Sequence, residues 1–344
     1  MKVLFTGLGS IGQRHLRNLR KLLGNSVEIL AYRVLREAPM LDDQLQVVKS
    51  GSIRDQYNII EFDDLDIALA QKPEIVFITN PGSLHVETAI KAAEAGCHLF
   101  IEKPLSHSIR DTKLLLNLVK KKNLTTMIGC DMRFHKCIQK IKKIIEHGDL
   151  GKIIAVRAEN GSYLPNWHPW EDYRNSFASK KNLGGGVVLT LIHEIDYLYW
   201  FFGKVDEVSA ITGKFSDLEI SVEDFAAIIL QFQKNIVAEI HLDYFQQPES
   251  RNCKIIGTKG IIYWDSNSNE VRQYSNSKKK WITKFKYKNF QRNNQFVCEL
   301  EHFLNCIKNQ KQTINPIDDA INTLKISLNV KKSSLLKKTI LTKK

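Results

Sequence analysis

The sequence predicts an α/β protein in two parts. A doubly wound domain with a parallel sheet comes first, and an α/β domain with an open, mostly antiparallel sheet follows. Three observations carry this reading. The first strand-like run, Lys2 to Thr6, leads directly into a glycine turn and a helical run. Strand-like and helical segments then alternate without a break to about residue 125, the order that right-handed crossovers turn into a parallel sheet. From Cys130 onward the chain changes to long runs of alternating apolar and polar residues with few helices between them, as expected of an antiparallel sheet covered on one face. At 344 residues about two domains are expected, and a hydrophobic share of 43% is enough for sizeable cores. The expected boundaries are 1–125, 126–332 and a basic tail over 333–344.

The glycine turn is Gly7-Leu8-Gly9-Ser10-Ile11-Gly12, a GxGxxG pattern between a strand and the helical run Gln13 to Leu23. In that setting Gly7 allows the tight turn, Gly9 lets the backbone approach a pyrophosphate, and Gly12 lets helix and strand pack closely. Ser10 and Ile11 complete the candidate cofactor turn, and the helix N-terminus supplies free N–H groups for the anion. The pattern points to a Rossmann domain that binds a dinucleotide, the alternative being a plain glycine-rich turn. The next strand, Val27 to Tyr32, should end in an Asp or Glu for the ribose 2′-hydroxyl of NAD, but it ends in Ala31-Tyr32-Arg33. Glu28 lies too early to substitute. With no carboxylate to repel a 2′-phosphate and Arg33 able to pair with one, NADP is favoured and NAD remains possible. Arg33 covering the adenine ring is the other reading.

Helical segments are expected near Met40 to Lys49 and Leu65 to Gln71, then a buried strand from Glu74 to Thr79. Asn80-Pro81-Gly82 makes a turn, and Leu84 to Ala95 a helix closed by Gly96. The following strand, His98 to Ile101, leads into Glu102-Lys103-Pro104. Pro104 fixes its own φ and pushes Lys103 out of the helical region, so the lysine stands at a rigid strand exit. An ordinary surface lysine at a strand end is the alternative. Ligands of a doubly wound sheet sit at the carboxyl ends of its strands, so Thr79, Asn80, Pro81, Glu102 and Lys103 are expected to line a cofactor crevice. His85 either faces it or serves as a cap or surface residue. Ser106 is expected to cap a helix from Ile109 to Lys122, and Thr125 to Gly129 forms the last strand of this domain.

In the second part a helix from Lys136 to His147 precedes six strand-like runs: 152–160, 205–212, 225–232, 236–244, 252–257 and 261–265. An open sheet of this kind also offers a flat surface to another subunit, so a homodimer or homotetramer is expected. Two helices, Gln295 to Lys308 and Asp318 to Lys331, close the domain. Gly184-Gly185-Gly186 opens a helix that is apolar on nearly every side up to Phe202 and ends at Gly203, so it is buried. His193 and Asp196 stand one turn apart in it, although a buried imidazole is often a satisfied core group. The stretch Tyr163 to Tyr173, with Trp167, His168, Trp170, Asp172 and Tyr173, is followed by Arg174. Its rings suit stacking on a sugar and its arginine suits an anionic group, while a subunit-interface loop would look the same.

Composition narrows the class further. No run of 18 apolar residues exists and the first strand ends in a glycine turn instead of a signal-like core, which places the chain in the cytoplasm. Six scattered cysteines, with no CxxC pair and no histidines at zinc spacing, argue against a disulfide framework or a structural metal. The net charge of +13 is spread out, concentrating only at 278–280 and in the last fourteen residues, and no basic helix with interleaved aromatics is present. A solvated lysine-rich surface explains it better than nucleic-acid binding.

Together these residues resemble the glucose-fructose oxidoreductase and inositol dehydrogenase (Gfo/Idh/MocA) family. The resemblance rests on Gly7 to Gly12, Glu102-Lys103-Pro104, Arg133-Phe134-His135, Gly148-Asp149-Leu150-Gly151-Lys152, the Gly184-to-His193-x-x-Asp196 segment and Gly257-Thr258-Lys259-Gly260. It implies reversible hydride transfer between a nicotinamide and a sugar, cyclitol or sugar-nucleotide carbon. It also implies that Lys103 and His193 are catalytic. Arg133, Trp170, Tyr173 and Asp196 are expected on the substrate side. One departure stands out. Many members carry an aspartate shortly before the histidine, where this chain has Thr190 with Leu189 beside it. Either Glu194 or Asp196 takes over the orienting role, or the chemistry is weaker. The 167–174 segment looks like subfamilies that modify surface-polysaccharide sugars. A reductase of a non-sugar carbonyl, imine or tetrapyrrole, and a catalytically silent NADP-binding sensor, are the alternatives.

Overall fold

The computed structural model describes residues 1–34 and 38–342, so Lys343 and Lys344 of the expected tail lie outside the described residues. The chain divides into two compact units, 1–130 with 295–321, and 131–294 with residues from 322 onward. The sequence reading ran the second domain continuously from 126 to 332 and did not include the return of 295–321 to the first unit. That return has a local cause. Ile128 N–H donates to the Asn315 carbonyl at 3.0 Å, and the Thr313 hydroxyl donates to the Thr126 carbonyl at 2.6 Å, so the segment satisfies the open edge of the last parallel strand.

In the first unit, β1 (Lys2–Thr6), α1 (Ser10–Leu23), β2 (Glu28–Tyr32), α2 (Ile53–Tyr57), β3 (Ile59–Phe62), α3 (Leu65–Ala70), β4 (Ile75–Ile78), α4 (His85–Glu94), β5 (His98–Glu102), α5 (Thr112–Lys121) and β6 (Thr126–Gly129) follow one another. The sheet has the order β3-β2-β1-β4-β5-β6 with every pair parallel. Its central strands are covered on both faces, which is why Val3 to Phe5, Ile75 to Ile78 and Leu99 to Ile101 are continuous apolar runs. Register places Phe5 beside Phe77 and Phe77 beside Phe100, and their rings stack in a row at 4.8 and 5.0 Å. Two expectations fail here. Residues 40–49 form no helix but a loop with a Leu41–Val47 bridge, because the Asp42 carboxylate accepts from the N–H groups of Gln44 and Gln46 and holds a turn. Ser106 does not cap α5, which begins six residues later after Asp111 in the left-handed region (φ 56°).

The second unit opens with α6 (Lys136–Glu146) and β7 (Ile153–Gly161), then α7 (Val187–Thr190), α8 (His193–Phe202) and β8 (Val205–Gly213). β9 (Phe225–Phe232), β10 (Ile236–Asp243), β11 (Ser250–Gly257), β12 (Gly260–Asp265), β13 (Glu270–Ser275) and β14 (Lys280–Lys286) complete most of its sheet. Helices α9 (Asn293–Lys308) and α10 (Ile317–Leu336) and the short β15 (Ile340–Leu341) end the chain. The sheet order is β14-β13-β12-β11-β7-β10-β9-β8-β15, antiparallel throughout except for β7 with β10. Val156, Ala158, Ile228, Leu230, Ala238 and Ile240 point inward and are buried, and α8 packs on β7 and β10.

The expected single helix from Gly186 to Phe202 is two helices, broken at Leu191 (φ −95°, ψ 37°). β13 and β14 were not expected; the turn between them spans 276–279, and Lys280 of the lysine-rich run opens β14. The expected tail is also corrected: α10 runs on to Leu336, and Ile340 and Leu341 pair with Val208 and Glu207. Among the described residues no helix is long and apolar enough to cross a membrane.

Candidate active site

The strand order of the first unit reverses between β1 and β4, and the residues expected to hold a cofactor lie at the carboxyl ends of β1, β2, β4 and β5. Gly7 has φ 113°, and a Cβ there would lie 3.0 Å from the Asn80 nitrogen. At Gly12 a Cβ would lie 2.4 Å from the Gly7 carbonyl oxygen, so the helix can approach the turn only with glycine. Gly9 differs from both, because a Cβ there would meet nothing within 4 Å. It caps α1 with no side-chain hydrogen bond, and Ser10 and Ile11 beside it are half-buried. An uncapped helix N-terminus under open space fits a pyrophosphate. The Thr79 hydroxyl donates to the Gly7 carbonyl at 2.6 Å and fixes the turn against β4, while the Asn80 amide donates to the Thr88 hydroxyl at 3.1 Å and Pro81 stays half-buried.

Arg33 is buried and its guanidinium donates to Glu61 at 2.6 Å. The cation expected to meet a 2′-phosphate is therefore already shared with a carboxylate from β3, an element absent from the sequence reading. Glu102, expected to line the crevice, is instead turned inward. Its Oε1 lies 2.6 Å from Nε2 of the fully buried His15, and its Oε2 accepts from the Lys103 N–H at 3.2 Å. The carboxylate is thus an anchor for Lys103, which is half-buried and joined to Pro104 by a cis peptide. His85 is neither cap nor surface residue. Its ring lies between the carbonyl oxygens of Pro104 and Asn80, 2.8 Å from each, and braces the loops that follow β5 and β4. Burial lowers its pKa against the pull of those two carbonyls.

In the second unit His193 begins α8 and is 9% exposed. Neither carboxylate expected to orient it does so. Asp196 makes a bidentate pair with Arg133, both bonds 2.9 Å, and the two side chains are 1% and 0% exposed. The sequence expected both on the substrate side; in the structure they are buried in this pair. Glu194 accepts from Arg251 at 2.7 Å and from Asn160 at 3.1 Å; burial raises its pKa while Arg251 pulls it down. The carboxylate beside His193 is Asp131, with Oδ1 3.4 Å from Nε2. Sequence reasoning missed it, although an acid directly after the carboxyl end of the last parallel strand is a signal it had in hand. The aromatic stretch stays near the surface. Trp170 stacks on His168 at 4.9 Å, and the Tyr173 hydroxyl accepts from the Glu219 N–H at 3.2 Å. Arg174 is paired with Asp172 and Glu219, so its charge is not held ready for a separate anion.

Comparison with known proteins bears on this geometry. A model of an oxidoreductase family with an NAD-binding Rossmann fold matches residues 1–130, and the GFO/IDH/MocA C-terminal domain matches residues 138–263. The chain belongs to the Gfo/Idh/MocA family. It is an NAD(P)-dependent oxidoreductase. Among Gfo/Idh/MocA relatives, myo-inositol 2-dehydrogenase of Thermotoga maritima is 27% identical over 277 residues, covering 77% of this chain and 75% of that one. Levoglucosan dehydrogenase of Pseudarthrobacter phenanthrenivorans is 34% identical over 151 residues, 43% of this chain and 36% of that one. A solved levoglucosan dehydrogenase in complex with NADH and levoglucosan superposes with a TM-score of 0.84 over 100% of both chains. At 18% identity that likeness concerns the fold, which is the expected one: a parallel N-terminal sheet followed by a mostly antiparallel one.

Proposed function

We propose that this enzyme oxidises a secondary hydroxyl of a sugar, cyclitol or sugar nucleotide, or reduces the matching carbonyl, with a nicotinamide dinucleotide as hydride carrier. The observation that supports it most directly is the open space over Gly9 at an uncapped helix N-terminus, in a chain whose relatives include inositol and levoglucosan dehydrogenases. When bound, the nicotinamide supplies the hydride acceptor or donor. The chain supplies the rest: α1 and the Gly7 turn hold the pyrophosphate, Thr79, Asn80 and Pro81 border it, Lys103 hydrogen-bonds the reacting oxygen, and His193 takes or returns its proton. Trp170 and Tyr173 are proposed to contact the sugar.

NADP is the proposed carrier, with a preference over NAD weakened by the Glu61 carboxylate that already holds Arg33. The enzyme works in the cytoplasm without nucleic acid, as a homo-oligomer. Ile211, Ile229 and Val237, all exposed on the outer face of the sheet, favour burial of that face against a second copy.

The test is cofactor-fluorescence binding followed by turnover on a panel of sugars, cyclitols and surface-polysaccharide sugar nucleotides. Lys103→Met is expected to abolish turnover and leave the cofactor dissociation constant unchanged; normal turnover in that variant removes Lys103 from the mechanism. Tight cofactor binding with no turnover on any polyol would favour the silent sensor instead.

A further inference from the structure

We propose that Asp131 is the positioning carboxylate of His193. The inference rests on the reading of His193 as the proton carrier. Asp131 Oδ1 lies 3.4 Å from His193 Nε2, and the two side chains are 8% and 11% exposed. At that distance and burial an ionic contact is weakly screened, and it has room to shorten when substrate excludes the remaining water.

The fold holds the contact in place. Asp131 sits on the short 131–134 turn, which packs on α8. Two residues further on, Arg133 grips Asp196 with two hydrogen bonds, and Asp196 lies one turn after His193. The Arg133–Asp196 clamp therefore sets the register that brings Asp131 to the imidazole. A helix aspartate would do this locally, and here a separate segment does it through a buried ion pair.

The surrounding charges leave this role to Asp131. On α8 itself Asp196 is paired with Arg133 and Glu194 with Arg251. Arg251 also lies in the field of Asp131. From α6, Lys142 bonds the Trp200 carbonyl and Glu146. The inward positions of β7 and β10 present Asn160 and apolar side chains. When the substrate is oxidised, its O–H proton moves to the imidazole, its carbon gives a hydride to the nicotinamide cofactor, and the C=O bond forms. The imidazolium so created is the species that a neighbouring carboxylate stabilises.

Asp131→Asn is expected to lower kcat by about 10–100-fold with KM and the cofactor dissociation constant little changed. The acid limb of its pH profile should move to lower pH by about one unit, since a neutral amide no longer favours the protonated ring. Asp131→Glu, which keeps the charge, should retain that limb. The His193 ring titration, followed by NMR without substrate, should shift in the same direction in Asp131→Asn, or in Asp131→Ser should the amide variant not fold. A His193 titration identical to that of the unmodified enzyme overturns the inference and leaves the roles of Lys103 and His193 standing. Undiminished turnover of His193→Asn overturns the underlying reading itself.

Discussion

Both units place glycines just before a helix, and they use them in opposite ways. In the first unit a Cβ on Gly9 would stand in open space above the start of α1. In the second, a Cβ on Gly185 would lie 2.4 Å from the Phe177 carbonyl oxygen and 2.5 Å from that of Ala178, and one on Gly186 would meet the Glu223 carboxylate. The first turn keeps a helix end open outward, and the second lets the chain close on itself, with Gly185 and Gly186 donating to the carbonyls of Lys180 and Ala178. A glycine run before a helix thus marks a ligand only where the missing side chain would have stood in solvent. Buried charge pairs occur in both units, His15–Glu102 and Arg33–Glu61 among them in the first. Beyond its packed glycines, the second unit closes over Arg133–Asp196 and Arg251–Glu194, and an aromatic cage of Trp264, Tyr287 and Phe290 surrounds His135.

The contrast breaks most visibly if the closed region tolerates the loss of its buried charges. Asp196→Ala leaves the Arg133 guanidinium buried without its carboxylate and should destabilise the protein by about 3–5 kcal/mol in urea unfolding, whereas an exposed pair would cost under about 1 kcal/mol. Acid tests the same closure. Burial, with the Arg251 charge adding to it, pushes the His135 pKa from 6.5 down to about 4, and the neutral ring accepts from the Cys137 N–H at the start of α6. A depressed histidine binds fewer protons folded than unfolded, so stability should fall as pH drops from about 6.5 to about 4, by roughly 3 kcal/mol in total. His135→Gln should flatten that slope in thermal melts across the range.

The glycines themselves give the smallest and sharpest effects. Gly185→Ala forces backbone oxygens apart and should cost roughly 2–3 kcal/mol. Gly9→Ala should change stability by under about 0.5 kcal/mol while weakening cofactor binding at least about tenfold, because only a ligand requires that space. Equal losses of melting temperature in the two variants would erase the distinction.

The glycine turn, the alternation up to β6 and the Glu102-Lys103-Pro104 strand exit were legible in the sequence, because each is written in neighbouring residues and in a period of 2 or 3.6. The lysine-rich β14 hairpin was not, since a polar edge strand has no apolar period to read, and neither was β3 (Ile59–Phe62), whose four residues are too few to set a period. Expected site residues divided along the same line. Gly7, Gly9, Gly12 and Thr79 stand where their spacing implied. Arg33, Glu102, Arg133 and Asp196 proved to be engaged with partners 28, 87, 63 and 63 positions away.

By itself the sequence determined a doubly wound domain followed by a mostly antiparallel one, the turn suited to a dinucleotide, and the lysine and histidine most worth testing. Only the tertiary structure decided which charges are consumed inside the protein and that Asp131, sixty-two positions before His193, is the acid at its side. Local patterns reach across a few residues because steric and hydrogen-bonding rules act on adjacent units of the chain. The partner of a buried charge is chosen by which segments the packed core brings within a few ångströms, and no spacing records that.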